Sequence, residues 1–205
     1  MDNIINTIEI ALLIMLPLIV FYRRSAWKLN TYIFIIPILY VCWYLSYGLL
    51  HELMHMFGVW ILGKKIIDFQ LFPRFWTGDF GTGFVKYNFE ADKKDFVIII
   101  LPYIRDIIFL FIGYLILKKK LIKNVFLTGL ILVILIYSSL YDIANNYLAY
   151  LFGALNDFNA LCLSSNIVIA NTIGIVFLMI SMFFTYRSII ISDGYPNKNF
   201  ELESQ

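Results

Sequence analysis

The chain has 205 residues, of which 61% are hydrophobic, 18% aromatic and only 15% charged, with a formal net charge of +2. An ordinary soluble domain is about 45–50% apolar and about 25% charged, so a water-soluble globule is excluded, and with it a disordered chain, which needs low hydrophobicity and high charge. The near-neutral balance and the scattering of basic residues in short groups exclude a nucleic-acid binder, and the two cysteines, Cys42 and Cys162, lie in apolar stretches and give no disulfide framework.

A bilayer core takes about 20 apolar residues per helix. The first candidate span is 4–22. Its basic residues follow the apolar run and no small-residue cleavage site appears, so it is expected to be a retained span and not a signal peptide. Pro17 is expected to kink it, and Glu9 to sit at the interface. The second, 31–63, has no basic residue and is too long for one upright span, which predicts a tilted helix or one disturbed near Gly48. The third covers 96–117, the fourth 125–140 and the fifth 158–186. Arg23, Arg24 and Lys28 fill the first connection, Lys118, Lys119, Lys120 and Lys123 fill the one between spans three and four, and Arg187 follows span five. The positive-inside rule puts these groups in the cytoplasm, with the N-terminus outside and the C-terminus inside. Residues 1–191 are expected to form a single integral membrane domain, and 192–205 a polar tail.

The segment between spans two and three differs. Ile67, Phe69 and Leu71 alternate with Asp68 and Gln70, and Val85, Tyr87 and Phe89 alternate with Lys86, Asn88 and Glu90. A Gly-rich stretch, 77–83, lies between them. Period-two runs around such a turn predict a β-hairpin. The expected fold is therefore mainly α: a polytopic membrane helical bundle of about five spans with one β-hairpin between spans two and three.

Span two contains His51-Glu52-Leu53-Met54-His55, and these are the only histidines in the chain. Positions i and i+4 share a helix face, so both imidazoles can reach one metal ion. This is the HExxH pattern of zinc hydrolases. Zinc in such enzymes takes three protein ligands, leaves a fourth position for water and lowers that water's pKa to about 7. Glu52 is expected to act as general base, accepting the water's proton and passing it to the leaving amine. The bland alternative is a pair of histidines hydrogen-bonded within a bundle, but ionisable groups inside a span are costly and usually functional. A third ligand must come from elsewhere. No third histidine exists, and Glu90, Glu201 and Glu203 lie off the spans, which leaves Asp106, Asp142 and Asp157.

At these residues the chain resembles the site-2 protease family of intramembrane zinc metalloproteases. The shared features are an HExxH inside a hydrophobic span, a hairpin-like segment after it and an aspartate well downstream. The family's later motif is an Asn, a Pro-containing stretch and then Leu-Asp-Gly. Leu155-Asn156-Asp157-Phe158 is similar to the last element, and Asn146 to the upstream Asn, which in the family helps to hold substrate or the oxyanion. No proline lies in this stretch, and Phe158 stands where the family has glycine. Leu101-Pro102-Tyr103 is similar to the family's Gly-Pro element on the next span. The resemblance covers residues 45–165. It implies zinc as cofactor, His51, His55 and an aspartate as ligands, and a membrane protein as substrate. Asp157 ranks first, since it follows a break of small residues, Gly153 and Ala154; its plain structural role would be an N-cap of span five. Asp142 ranks second, with Asn145, Asn146 or a neighbouring span as its structural partner. Asp106 ranks third; it adjoins Arg105, and because adjacent helical residues do not face each other, each is expected to need another partner.

The resulting expectation is a membrane zinc endopeptidase cutting a peptide bond in or near a membrane-spanning segment, with residues 65–89 holding the substrate as an added strand. The alternative is a membrane protein that binds zinc without hydrolysis, either a transporter or an inactive relative serving to bind partners; the presence of Glu52 speaks against it. A peptidase of the prenyl-protein or quality-control kind is disfavoured by the lack of a span-borne glutamate ligand. The location expected is the lipid bilayer as a multi-pass protein. The richness in Ile, Asn and Lys fits an AT-rich bacterial genome, and so a bacterial cell membrane.

Overall fold

The computed structural model describes residues 35–72, 83–122 and 124–193, with only the backbone described for 35–41, 43–47, 125–126 and 193. The described chain is mainly helical. In order it forms α1 (Ile35–Ile61), β1 (Ile66–Gln70), β2 (Phe84–Tyr87), α2 (Lys93–Lys118), α3 (Val125–Ile131), a π-helical stretch (Leu132–Tyr137), α4 (Ser138–Leu151), α5 (Asp157–Ser164) and α6 (Ile167–Asp193).

Three helical stretches among the described residues are long and apolar enough to cross a membrane: Lys93–Lys118, Leu127–Leu151 and Ile167–Ser192. Among the described residues the expected count of about five is not supported. The span predicted at 4–22 lies outside the described residues. The second predicted span forms α1, which carries His51, Glu52 and His55 and is not one of the three. It runs without interruption through Gly48, so the disturbance expected there is absent; a Cβ at Gly48 would meet open space. The fourth predicted span stopped at 140, but helix continues to Leu151 because Asp142, Asn145 and Asn146, which look like helix-enders in sequence, have partners inside the bundle. The fifth splits in two. Ser165 turns its hydroxyl onto the Leu161 carbonyl at 2.6 Å and Asn166 accepts from the Ile169 amide. Such side chains offer the backbone alternatives to continued helix.

The ends of the helices follow from local chemistry. α1 closes with Gly63 at φ +69°, the Lys64 amide bonding to Val59 O and the Gly63 amide to Trp60 O. This is a Schellman motif, in which glycine takes the left-handed position. α2 opens with a capping box between Asp92 and Asp95. α4 ends like α1, with Gly153 at φ +86° and the Ala154 amide bonded to Ala149 O.

β1 and β2 pair antiparallel, with Asp68 opposite Lys86, Phe69 opposite Val85 and Gln70 opposite Phe84, and an irregularity between Ile66 and Asp68. The hairpin is thus present, while its predicted turn lies outside the described residues except for Gly83. The core is built from Tyr103 and Leu110 of α2, Ile136 of the π-helical stretch, Tyr141 and Ile143 of α4, and Phe158 and Leu161 of α5. Close approach depends on small residues. A Cβ at Gly58 would come within 2.8 Å of Leu101 Cδ1 and 3.2 Å of Ile98 Cα, so glycine there lets α1 lie directly on the α2 backbone. The outer surfaces are apolar as well. On α6, Met179, Met182 and Phe183 are all more than half exposed, the pattern of a helix surrounded by something other than water.

Candidate metal centre

His51 and His55 project from the same face of α1, one turn apart. Asp157 comes from the first turn of α5. Its position is set by the α4–α5 turn: Gly153 ends α4, and Asn156 caps α5 by accepting from the Phe158 amide at 3.1 Å. Asn156 Nδ2 also donates to Asn146 O at 2.7 Å, which ties the turn back to α4. The capping role considered for Asp157 therefore belongs to Asn156, and Asp157 is free to face α1.

The three side chains converge. His51 Nε2 lies 2.8 Å from Asp157 Oδ2, His55 Nε2 lies 3.0 Å from the same oxygen, and the two Nε2 atoms are 3.0 Å apart. Bonds of 2.0–2.1 Å to a tetrahedral ion put ligand atoms about 3.3 Å apart, so the triangle is close to the size an ion would set. These residues form a group able to hold one metal ion.

The outer faces of the imidazoles decide what the inner atoms are. His51 Nδ1 lies 2.8 Å from Asp142 Oδ2, and His55 Nδ1 lies 3.1 Å from Ile98 O. A carbonyl can only accept, so His55 Nδ1 carries the hydrogen. Asp142 Oδ2 also accepts from Arg105 Nη2 at 2.8 Å, so it too is an acceptor, and His51 Nδ1 donates to it. When both rings are neutral, as metal ligands must be, their Nε2 atoms present lone pairs that face each other and a carboxylate oxygen. Three electron-rich atoms within about 3 Å repel one another unless a cation lies between them. Orientation of each ligating histidine by an outer acceptor is the usual arrangement at metal sites.

The two other aspartates stand outside this group. Asp142 is buried and reaches His51 only at Nδ1, the ring nitrogen turned away from the cluster. Asp106 is buried beside Arg105, which bonds to it as well as to Asp142. The expectation that Arg105 and Asp106 would not meet is thus corrected: the guanidinium turns along the helix so that Nε and Nη2 both meet Asp106 Oδ1, and the same Nη2 reaches Asp142 on α4. Asn146 Nδ2 donates to Asp142 Oδ1 at 2.9 Å, so this asparagine, expected to meet substrate, is engaged with Asp142. Tyr103, buried, donates its hydroxyl to Asp157 Oδ2 at 3.1 Å.

Glu52 lines the same cavity, of about 500 Å³, as His51, His55 and Asp157. It is 9% exposed and makes no hydrogen bond to another described residue. Gly83, just before β2, lies against it: a Cβ there would come within 2.5 Å of Glu52 Cγ and 3.0 Å of Gln70 O. β2 thus forms a wall of the site, with Phe84, Val85 and Tyr87 facing the cavity. Sequence reasoning did not single out Ile98, and it named Tyr103 and Gly83 only as parts of the Leu101-Pro102-Tyr103 element and the stretch 77–83, not as residues of the site. Arg105 was the available signal for an outer network, since a buried guanidinium demands carboxylate partners.

Comparison with protein-family models, curated proteins and solved structures finds no match to this chain.

Proposed function

We propose that the protein is an intramembrane zinc endopeptidase, similar in kind to the site-2 proteases, which hydrolyses a peptide bond in or near a membrane-spanning segment of another protein. One observation carries this reading: two imidazole Nε2 atoms and a carboxylate oxygen meet in one cavity that Glu52 also lines. Two imidazole nitrogens and a carboxylate oxygen are a donor set that zinc takes in hydrolytic sites, with one position left open. Bound to His51, His55 and Asp157, zinc would polarise a carbonyl and acidify a water molecule.

Glu52 then has a defined task. It takes a proton from the attacking water and returns it to the amine as the C–N bond breaks, so that a carboxylate and an amine leave. Its freedom from other described hydrogen bonds suits a base that must change partners. A binding protein without catalysis would have no use for a carboxylate in this place. The substrate must be extended, since a helical amide hides its carbonyl. β2 supports that requirement: it lines the cavity, and among the described residues it pairs only with β1, which leaves an edge for a substrate strand. The bilayer setting follows from the three apolar helices, to which 4–22 and α1 would add to give about five spans. The Ile, Asn and Lys richness favours a bacterial cell membrane.

The test is a cleavage assay in proteoliposomes with one peptide sequence presented either within a membrane-spanning segment or as a soluble peptide. The membrane-spanning form should be cut, chelation should stop the reaction and added Zn2+ should restore it. Cutting that survives chelation, or that is confined to the soluble form, would contradict the proposal.

A further inference from the structure

α2 carries a proline in its interior, Pro102. Proline has no backbone N–H, so the carbonyl four residues earlier loses its helical partner. That carbonyl belongs to Ile98, and it is the one that His55 Nδ1 meets at 3.1 Å. The coincidence has a physical logic. A carbonyl without a donor is costly in an apolar interior, and both Ile98 and Pro102 are buried. The imidazole of His55 supplies the missing donor. Gly58 makes the meeting possible, because any side chain there would press on Ile98 Cα and hold α2 away from α1.

We infer that Pro102 is a positioning residue for the metal centre. By withholding the helical donor from Ile98 O, it reserves that oxygen for His55 Nδ1–H and so turns His55 Nε2 towards Asp157 and His51. The inference deepens the zinc reading and rests on it for its consequence in metal affinity, while the hydrogen bond stands independently of any metal. It also explains why the two histidines are held differently. His51 is backed by the carboxylate of Asp142. Glu52 and Asp157 already bring negative charge to the same cavity, and a second outer carboxylate behind His55 would add more. A proline-freed carbonyl gives direction without charge.

The chain's two histidines make the test direct. Full-length wild type, Pro102→Ala and Pro102→Val are labelled with 15N-histidine and compared by NMR without metal. Both variants restore the amide at position 102, and they bracket proline in volume, alanine being smaller and valine larger. The account expects the Nδ1 resonance of His55 to move in both variants, with that of His51 unchanged. Zn2+ affinity, measured by competition with a chromophoric chelator, should fall by about tenfold, the low end of the range for lost outer partners. Alanine is the better helix former, so fraying of α2 is not the expected cause. The inference is overturned by an unmoved His55 resonance, by equal movement of both histidines, by a shift in the alanine variant alone, or by unchanged Zn2+ affinity where wild type binds the ion. A wild type that takes up no zinc would instead reject the zinc reading, and the histidine shifts alone would then decide the hydrogen-bond assignment.

Discussion

Asp142 accepts from His51 Nδ1 and Arg105 Nη2 at one oxygen and from Asn146 Nδ2 at the other. A carboxylate held by three donors is not available as a ligand and is well placed to orient one. Asp142→Asn keeps the shape but removes the charge. It should weaken Zn2+ binding by about 10–100-fold without changing the stoichiometry of one ion per chain, as measured by metal titration; complete loss of the ion would make Asp142 itself a ligand. The HExxH pair was legible in the sequence because both ligands lie within one turn of one helix, where spacing fixes geometry. Asp157 was reachable only by elimination and resemblance, because its approach to α1 depends on the Gly153 turn and the Asn156 cap. The second acceptor, Ile98 O, belongs to the main chain, and the letter at 98 says nothing of it; its sequence mark is Pro102, four positions on.

The hairpin is an element whose position rests on its base. Lys64, just past the end of α1, bonds to Asp95 at 2.7 Å and to Asp92 at 3.2 Å, and also to Asn88 O. It thereby links α1, the exit of β2 and the start of α2. Burial works against the charge of Lys64, but its hydrogen bonds to Asp95 and Asp92 and their negative charge outweigh this and raise its pKa above the ordinary lysine value. A raised pKa means stabilisation that is complete below the unfolded value of about 10.4 and is lost as pH rises through the higher folded value. The Asp95 amide, bonding to Asp92, lowers the Asp92 carboxyl, so its contribution fades at the acid end, as pH falls through the lowered value. Lys64→Met should cost about 1–3 kcal/mol and flatten the alkaline arm of a thermal-unfolding series; an unchanged alkaline arm would contradict this role. Alternation in the sequence announced both strands. The split of α5 from α6 was not apparent, since an apolar run reads as continuous until the hydroxyls of Ser164 and Ser165 and the amide of Asn166 are seen bonding to the backbone.

Over the whole molecule, composition alone announced a membrane setting, and the apolar outer faces of α2 and α6 agree with it. The count of spans was less legible, because hydropathy registers length and polarity but not the partners that let polar residues stay inside. Asp142, Asn146 and Arg105 lie within long helices because they bond to one another inside the bundle, and α1 carries the polar centre itself. Apart from the Lys64–Asp95 pair at the base of the hairpin, the buried polar groups named above gather at one place: α1 brings two imidazoles and Glu52, α5 brings Asp157, and α2 and α4 bring the groups that aim them. The central claim is that this assembly holds zinc and that Glu52 uses it for hydrolysis. The most direct measurement compares wild type with Glu52→Gln in proteoliposomes, reading zinc content and peptide cleavage on the same samples. The account predicts one zinc per chain in both and cleavage by wild type only, reduced at least about 100-fold in the variant, as for loss of a general base. Equal cleavage by the two proteins, or a wild type that holds no zinc, would contradict it.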